Sequence, residues 1–147
     1  MEKKAIGGKK RARTLALQAL YQWQLSGTAL SEIEAQFRAI KTMDKVDVAY
    51  FCRLLHDIPA QVTVLESAFS PFLDRGIKEL NPIELTVLRM GSFELLFCPE
   101  VPYKVVLNEA IALTKSFGSQ DGHKYVNGVL HNVAKKVRSL EIGLEHG

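Results

Sequence analysis

Where the prolines fall constrains this chain more than any other feature. All five (Pro59, Pro71, Pro82, Pro99 and Pro102) stand between, or at the starts of, segments whose apolar residues recur every three to four positions. No run alternates polar and apolar residues with enrichment in Val, Ile and Thr. Proline lacks the N–H that an interior helical turn donates, so here it punctuates helices instead of interrupting strands. The expected fold class is all-α, with about seven helices.

The first helix is expected over residues 12–26, where Ala12, Leu15, Ala16, Ala19, Leu20 and Trp23 share a face and Gly27 supplies the stop. Ser31-Glu32-Ile33-Glu34 can close a capping box at the start of a second, which ends near residue 41. Asp44 can cap a third, with Val48, Phe51, Cys52 and Leu55 on one face, and Pro59 breaks or restarts the chain before a fourth over 60–69. Asn81-Pro82-Ile83-Glu84 is the strongest start signal, joining an N-cap side chain, a first-turn proline and an acid; that helix should halt at Phe97, before Pro99. Pro102 opens a segment running to Phe117, with Gly118 as a left-handed end, and the last helix covers 122–139 behind a capping Asp121. Residues 1–10 and 141–147 hold too little apolar content to bury, and are expected to be a flexible basic arm and a mobile tail.

At 147 residues, the expectation is a single domain that can bury a full core without disulfide or metal staples. Two cysteines, Cys52 and Cys98, make no disulfide framework, and no uncharged apolar run approaches the length of a membrane span. A soluble, cytoplasmic protein without a membrane partner is expected. The net charge of +3 conceals a division. Residues 1–13 carry six bases against one acid, 14–101 seven against eleven, and 102–138 six against two. Two basic ends joined on one surface would attract phosphate through counterion release; lysines kept only for solubility are the alternative.

The final helix sharpens that alternative. At about 100° per residue, Val126, Val129, Leu130, Val133 and Val137 form a core arc, while Lys124, Asn127, His131, Lys135 and Arg138 form a polar strip beside Tyr125. The strip is either a solvated face or a place where cations hold phosphates while the aromatic ring stacks on a base.

Enzyme chemistry finds no foothold: the chain has no phosphate loop, dinucleotide fingerprint, nucleophile elbow or zinc-helix motif, so no cofactor, metal or catalytic residue is assigned. Cys52 and His56 supply two ligands where a tetrahedral metal needs four. Asp121 and His123 could form an acid–base pair, but a helix start is where an aspartate caps.

Three stretches together resemble a known family. They are Arg11-Ala12-Arg13 with Ala19-Leu20-Tyr21-Gln22-Trp23; Val101-Pro102-Tyr103-Lys104-Val105-Val106-Leu107-Asn108-Glu109-Ala110 with Lys115-Ser116-Phe117-Gly118; and His123-Lys124-Tyr125-Val126-Asn127-Gly128-Val129-Leu130. They look like the signature of the NusB family, in order and over nearly the whole length. The resemblance implies a transcription antitermination factor that binds the boxA element of nascent single-stranded RNA, notably on ribosomal RNA operons, and pairs with NusE, a small-subunit ribosomal protein, to help RNA polymerase resist termination. By motif, it implies RNA-facing roles for Lys9, Lys10, Arg11, Arg13, Tyr103, Lys104, Ser116, Gly118, Asp121, Lys124, Tyr125 and Asn127. It places the protein partner against Tyr21, Trp23 and Glu84. Family members also form homodimers. The alternatives are a protein-docking module, an RNA- or protein-binding module of a ribosomal RNA methyltransferase or ribosome-assembly system, and a small hydrolase using His123.

Overall fold

A computed structural model describes the backbone of residues 2–40, 43–118 and 121–146, and the side chains of residues 7–39, 43–118 and 121–144. Among these, eight α-helices and no strands occur: α1 (Glu2–Ser26), α2 (Leu30–Ile40), α3 (Val48–Ala60), α4 (Val62–Phe69), α5 (Pro82–Phe97), α6 (Tyr103–Phe117), α7 (Gly122–Val137) and α8 (Ser139–His146). Two short 3-10 turns, Ser70–Phe72 and Ile77–Glu79, lie between α4 and α5. The chain forms two compact units, residues 1–61 and residues 62–147.

In the first unit, α1 packs on α2 and α3. Ala12, Ala16, Ala19 and Leu20 are buried as their spacing predicts, and Ile33, Phe37, Phe51, Leu54 and Leu55 complete this core. Gly27 has φ +69°, the left-handed conformation expected of a helix stop. Helix extends over residues 2–11 although no apolar stripe marks them. From Gly8 onward there is a tertiary reason. The Asp47 N–H donates to the Gly8 carbonyl at 3.0 Å, and a β-carbon on Gly8 would stand 3.2 Å from that nitrogen.

In the first unit, two expected caps do not form. Ser31 lies inside α2, and Glu34 turns away to His56 and Arg38. Asp47, not Asp44, caps α3, its Oδ1 accepting from the Tyr50 N–H at 3.0 Å. A cap must sit where the chain changes direction, and the contact with Gly8 sets that corner. Pro59 is accommodated within α3, which ends one residue later.

In the second unit, α5 packs against α4, α6 and α7, and α6 lies along α7. Val87, Leu88, Phe93, Val106, Val126, Leu130 and Val133 fill the space between them. The Asn81 start forms as read: its Oδ1 accepts from the Glu84 N–H at 2.8 Å. Gly91 makes room for Leu130, whose Cδ1 would lie 2.5 Å from a β-carbon there. Gly118 is not left-handed, having φ −111° and ψ −159°. Glycine serves a close approach instead, because a β-carbon would lie 3.0 Å from the Thr114 carbonyl and 3.3 Å from Ile83 Cγ2. Asp121 makes no capping side-chain bond; its backbone is already helical, whereas a capping residue is extended. Val137, expected in the core, is exposed at 36%. No helix among the described residues is long and apolar enough to cross a membrane.

Candidate nucleic-acid interface

In the first unit, the arm presents cations in two directions. Lys9 and Arg13, four residues apart, share one face of α1. Lys9 Nζ lies 5.0 Å from the centroid of the Tyr50 ring, and the Arg13 guanidinium carbon lies 5.6 Å from it. Cation–π pairs are worth about 0.5–1 kcal/mol at exposed sites and about 2 kcal/mol or more when desolvated, so they help to hold α1 against α3. Arg13 is 4% exposed, while Lys10 and Arg11 are exposed. Tyr50 went unread in the sequence, because a ring between two apolar stripes carries no mark of the cations it will meet. Tyr21 and Trp23 are half-buried on α1.

In the second unit, the packing of α6 along α7 brings the end of one to the start of the other. A cavity of about 430 Å³ there is lined by Lys115, Asp121, His123 and Lys124. Of the residues expected from motif, Ser116, Asp121 and Lys124 are exposed, and Gly118, Tyr125 and Asn127 are half-buried. Lys115 and His123 join the site although neither was assigned to RNA. Their signal was their place inside the quoted motifs. Tyr103 and Lys104 begin α6, roughly 20 Å from its far end at 1.5 Å per residue. They therefore lie apart from the cavity. Tyr103 is 5% exposed and its N–H donates to Glu141 Oε2 at 2.9 Å, while Lys104 is exposed. Glu84 is buried in the first turn of α5.

The polar strip of α7 is shorter than the helical wheel indicated. His131 and Lys135 are exposed, but Arg138 is buried at 8%. Its Nε donates to the Leu95 carbonyl at 2.9 Å, and Nη2 donates to the carbonyls of Glu94 at 3.2 Å and Cys98 at 3.0 Å. These oxygens close α5, where intrahelical donors grow scarce; those of Glu94 and Cys98 also accept from the Cys98 and Val101 N–H groups. Nη1 meets Glu141 Oε1 at 2.6 Å.

Two further polar groupings stand out. Over α7, the Asp74 N–H donates to Tyr125 Oη at 3.2 Å. Burial pushes the Tyr125 hydroxyl above its ordinary value, and the Arg75 hydrogen bonds hold the Asp74 carboxyl below its own. In the first unit, His56 Nε2 donates to Glu34 Oε1 at 2.6 Å, the main cause of a lowered Glu34 pKa. Beside it, burial and then the Glu34 charge raise the Cys52 thiol, keeping it protonated and a poor ligand or nucleophile. Among the described residues, no three His, Cys, Asp or Glu side chains are grouped to hold a metal ion.

Comparison with known proteins gives a consistent picture. The model of the NusB family matches residues 10–135. A transcription antitermination protein NusB from Legionella pneumophila (strain Corby) is 66% identical over 146 residues, covering 99% of each chain. Among solved structures, NusB of T. maritima superposes with a TM-score of 0.73 at 25% identity, covering 86% of this chain and 89% of that one. A chain from the crystal structure of a plectonemic RNA supercoil superposes with a TM-score of 0.77 at 27% identity, covering 86% and 94%.

Proposed function

The chain belongs to the NusB family and is a transcription antitermination factor, and we propose that it acts by binding the boxA element of nascent single-stranded RNA together with NusE, within the RNA polymerase antitermination complex in the cytoplasm. The observation that carries this reading is the cavity between the end of α6 and the start of α7, where Lys115, His123 and Lys124 gather around Asp121. Phosphate contacts position an RNA, and contacts to base edges and ring faces give sequence preference. Both kinds of group meet here.

In this reading each unit contributes RNA-contacting residues. Lys10 and Arg11 of the arm, with Lys104, Ser116 and Lys124, hold phosphates. Lys9 and Arg13 act from the Tyr50 ring that anchors the arm, and Tyr103 acts from the buried start of α6. Tyr125 supports base stacking, and Asn127 with the main chain near Gly118 reads base edges. Asp121 lowers the local positive potential and so restrains indiscriminate binding. Tyr21, Trp23 and Glu84 receive NusE, a basic ribosomal protein suited to the acidic middle of the chain.

A band-shift with boxA RNA and scrambled RNA, with and without NusE, tests the proposal. Preference for boxA, strengthened by NusE, is expected; equal retention of both RNAs would reduce the chain to a polycation. Replacing Lys10 with Ala should flatten the salt dependence of affinity by about one ion while leaving the preference for boxA intact.

A further inference from the structure

The segment between the two 3-10 turns lies over Tyr125. Besides the bond from its N–H to Tyr125 Oη, Asp74 accepts from Arg75 Nε at 2.7 Å through Oδ1 and from Nη2 at 3.3 Å through Oδ2. The Arg75 guanidinium carbon stands 4.4 Å from the centroid of the Tyr125 ring. The guanidinium thus lies over an aromatic ring and is held at its edge by a two-pronged carboxylate. Its side chain nevertheless remains 39% exposed. The segment is itself anchored: the Leu73 N–H donates to the Ser70 carbonyl at 3.2 Å, and the Gly76 N–H donates to Glu79 Oε2 at 3.3 Å. The first 3-10 turn packs against α7.

One face of the Tyr125 ring is therefore occupied, and a base could reach that face only by evicting Arg75. The geometry points to Arg75 as a further RNA-contacting residue, whose guanidinium plane, backed by Tyr125 and held by Asp74, is the platform on which an unpaired base of single-stranded RNA stacks. This inference rests on the RNA-binding reading above and assigns to that interface a residue which no motif marked. Three physical arguments carry it. Guanidinium planes stack on bases as aromatic rings do. A plane already immobilised loses little freedom when the base arrives. The Asp74 carboxylate also cancels much of the cation's long-range field, so Arg75 contributes through its plane more than through its charge. Its neighbourhood suits RNA, because His123 and Lys124, which line the cationic cavity, directly precede Tyr125 on α7.

Arg75→Lys and Arg75→Ala separate plane from charge, and the exposed position makes misfolding an easily checked confound by circular dichroism. The full chain is titrated with single-stranded boxA RNA at several salt concentrations. Both variants are expected to bind roughly five- to 100-fold more weakly, with little change in salt slope. Tyr125→Leu, which removes the ring beneath the guanidinium, should fall with Arg75→Ala. Wild-type affinity in Arg75→Lys would overturn the platform, since charge alone would suffice. Lost NusE binding with intact RNA affinity would overturn it too, assigning Arg75 to a protein contact. A wild-type chain that does not distinguish boxA from scrambled RNA would instead remove the RNA-binding reading itself.

Discussion

Arg138 Nε donates to the Leu95 main-chain oxygen at 2.9 Å, across 43 residues of chain. Glu141, which receives the same guanidinium, also accepts the Tyr103 N–H at the start of α6. An acid at a helix N-terminus complements the helix dipole, and a guanidinium among C-terminal carbonyls does the converse. One ion pair thus ties the end of α5, the junction of α7 with α8, and the beginning of α6.

Arg138→Ala should therefore act on stability. Losing its hydrogen bonds to main-chain oxygens is expected to cost roughly 2–4 kcal/mol, read as a lower urea midpoint. The salt slope of RNA binding should stay unchanged, because the side chain is not part of the exposed strip. A stable variant with a reduced slope would return Arg138 to the RNA surface.

Ser92 offers the opposite sign. Its hydroxyl is buried in α5 with no hydrogen-bond partner among the described residues. Ser92→Ala removes an unsatisfied polar group and improves helix propensity, so stability should rise by about 0.5–1.5 kcal/mol. Calorimetry showing a lower melting temperature would mean that the hydroxyl has a partner in solution.

The Glu34–His56 contact makes the first unit acid-sensitive. A carboxyl whose folded pKa is depressed contributes stability above its unfolded value and loses it as pH falls through the folded one. Wild-type stability should consequently drop below about pH 5 more steeply than that of Glu34→Gln. Denaturant titrations of both proteins across that range check it; parallel curves would leave the contact without energetic weight.

Asp121 is exposed, lines the cationic cavity and makes no capping bond. Asp121→Asn should bind RNA about two- to fivefold more tightly and with less discrimination. Weaker binding by a folded variant would show the carboxylate in a direct, favourable contact.

Much of the architecture was legible because it rests on local rules. The Asn81-Pro82 start, the Gly27 stop and the buried faces of α1 and α7 each follow from backbone chemistry or from a period of three to four residues. The Ser31 and Asp44 caps used the same rules and failed, since several residues near each boundary could fill the role and packing selected among them; Gly118 and Asp121 do bound α6 and α7, but without the left-handed conformation and the side-chain cap expected of them. Tyr50 beneath Lys9 and Arg13 was also hidden, as was Arg75 on Tyr125, because neither pair is joined by a short spacing.

By itself, the order of amino acids determined an all-helical chain, the segments bearing its family signature and the cations those segments carry. Tertiary structure alone decided which cations face outward. Arg138 and Arg13 read like their basic neighbours until α5 and Tyr50 claim them, because a charge is assigned by the groups that surround it in space, and those are brought together only by folding.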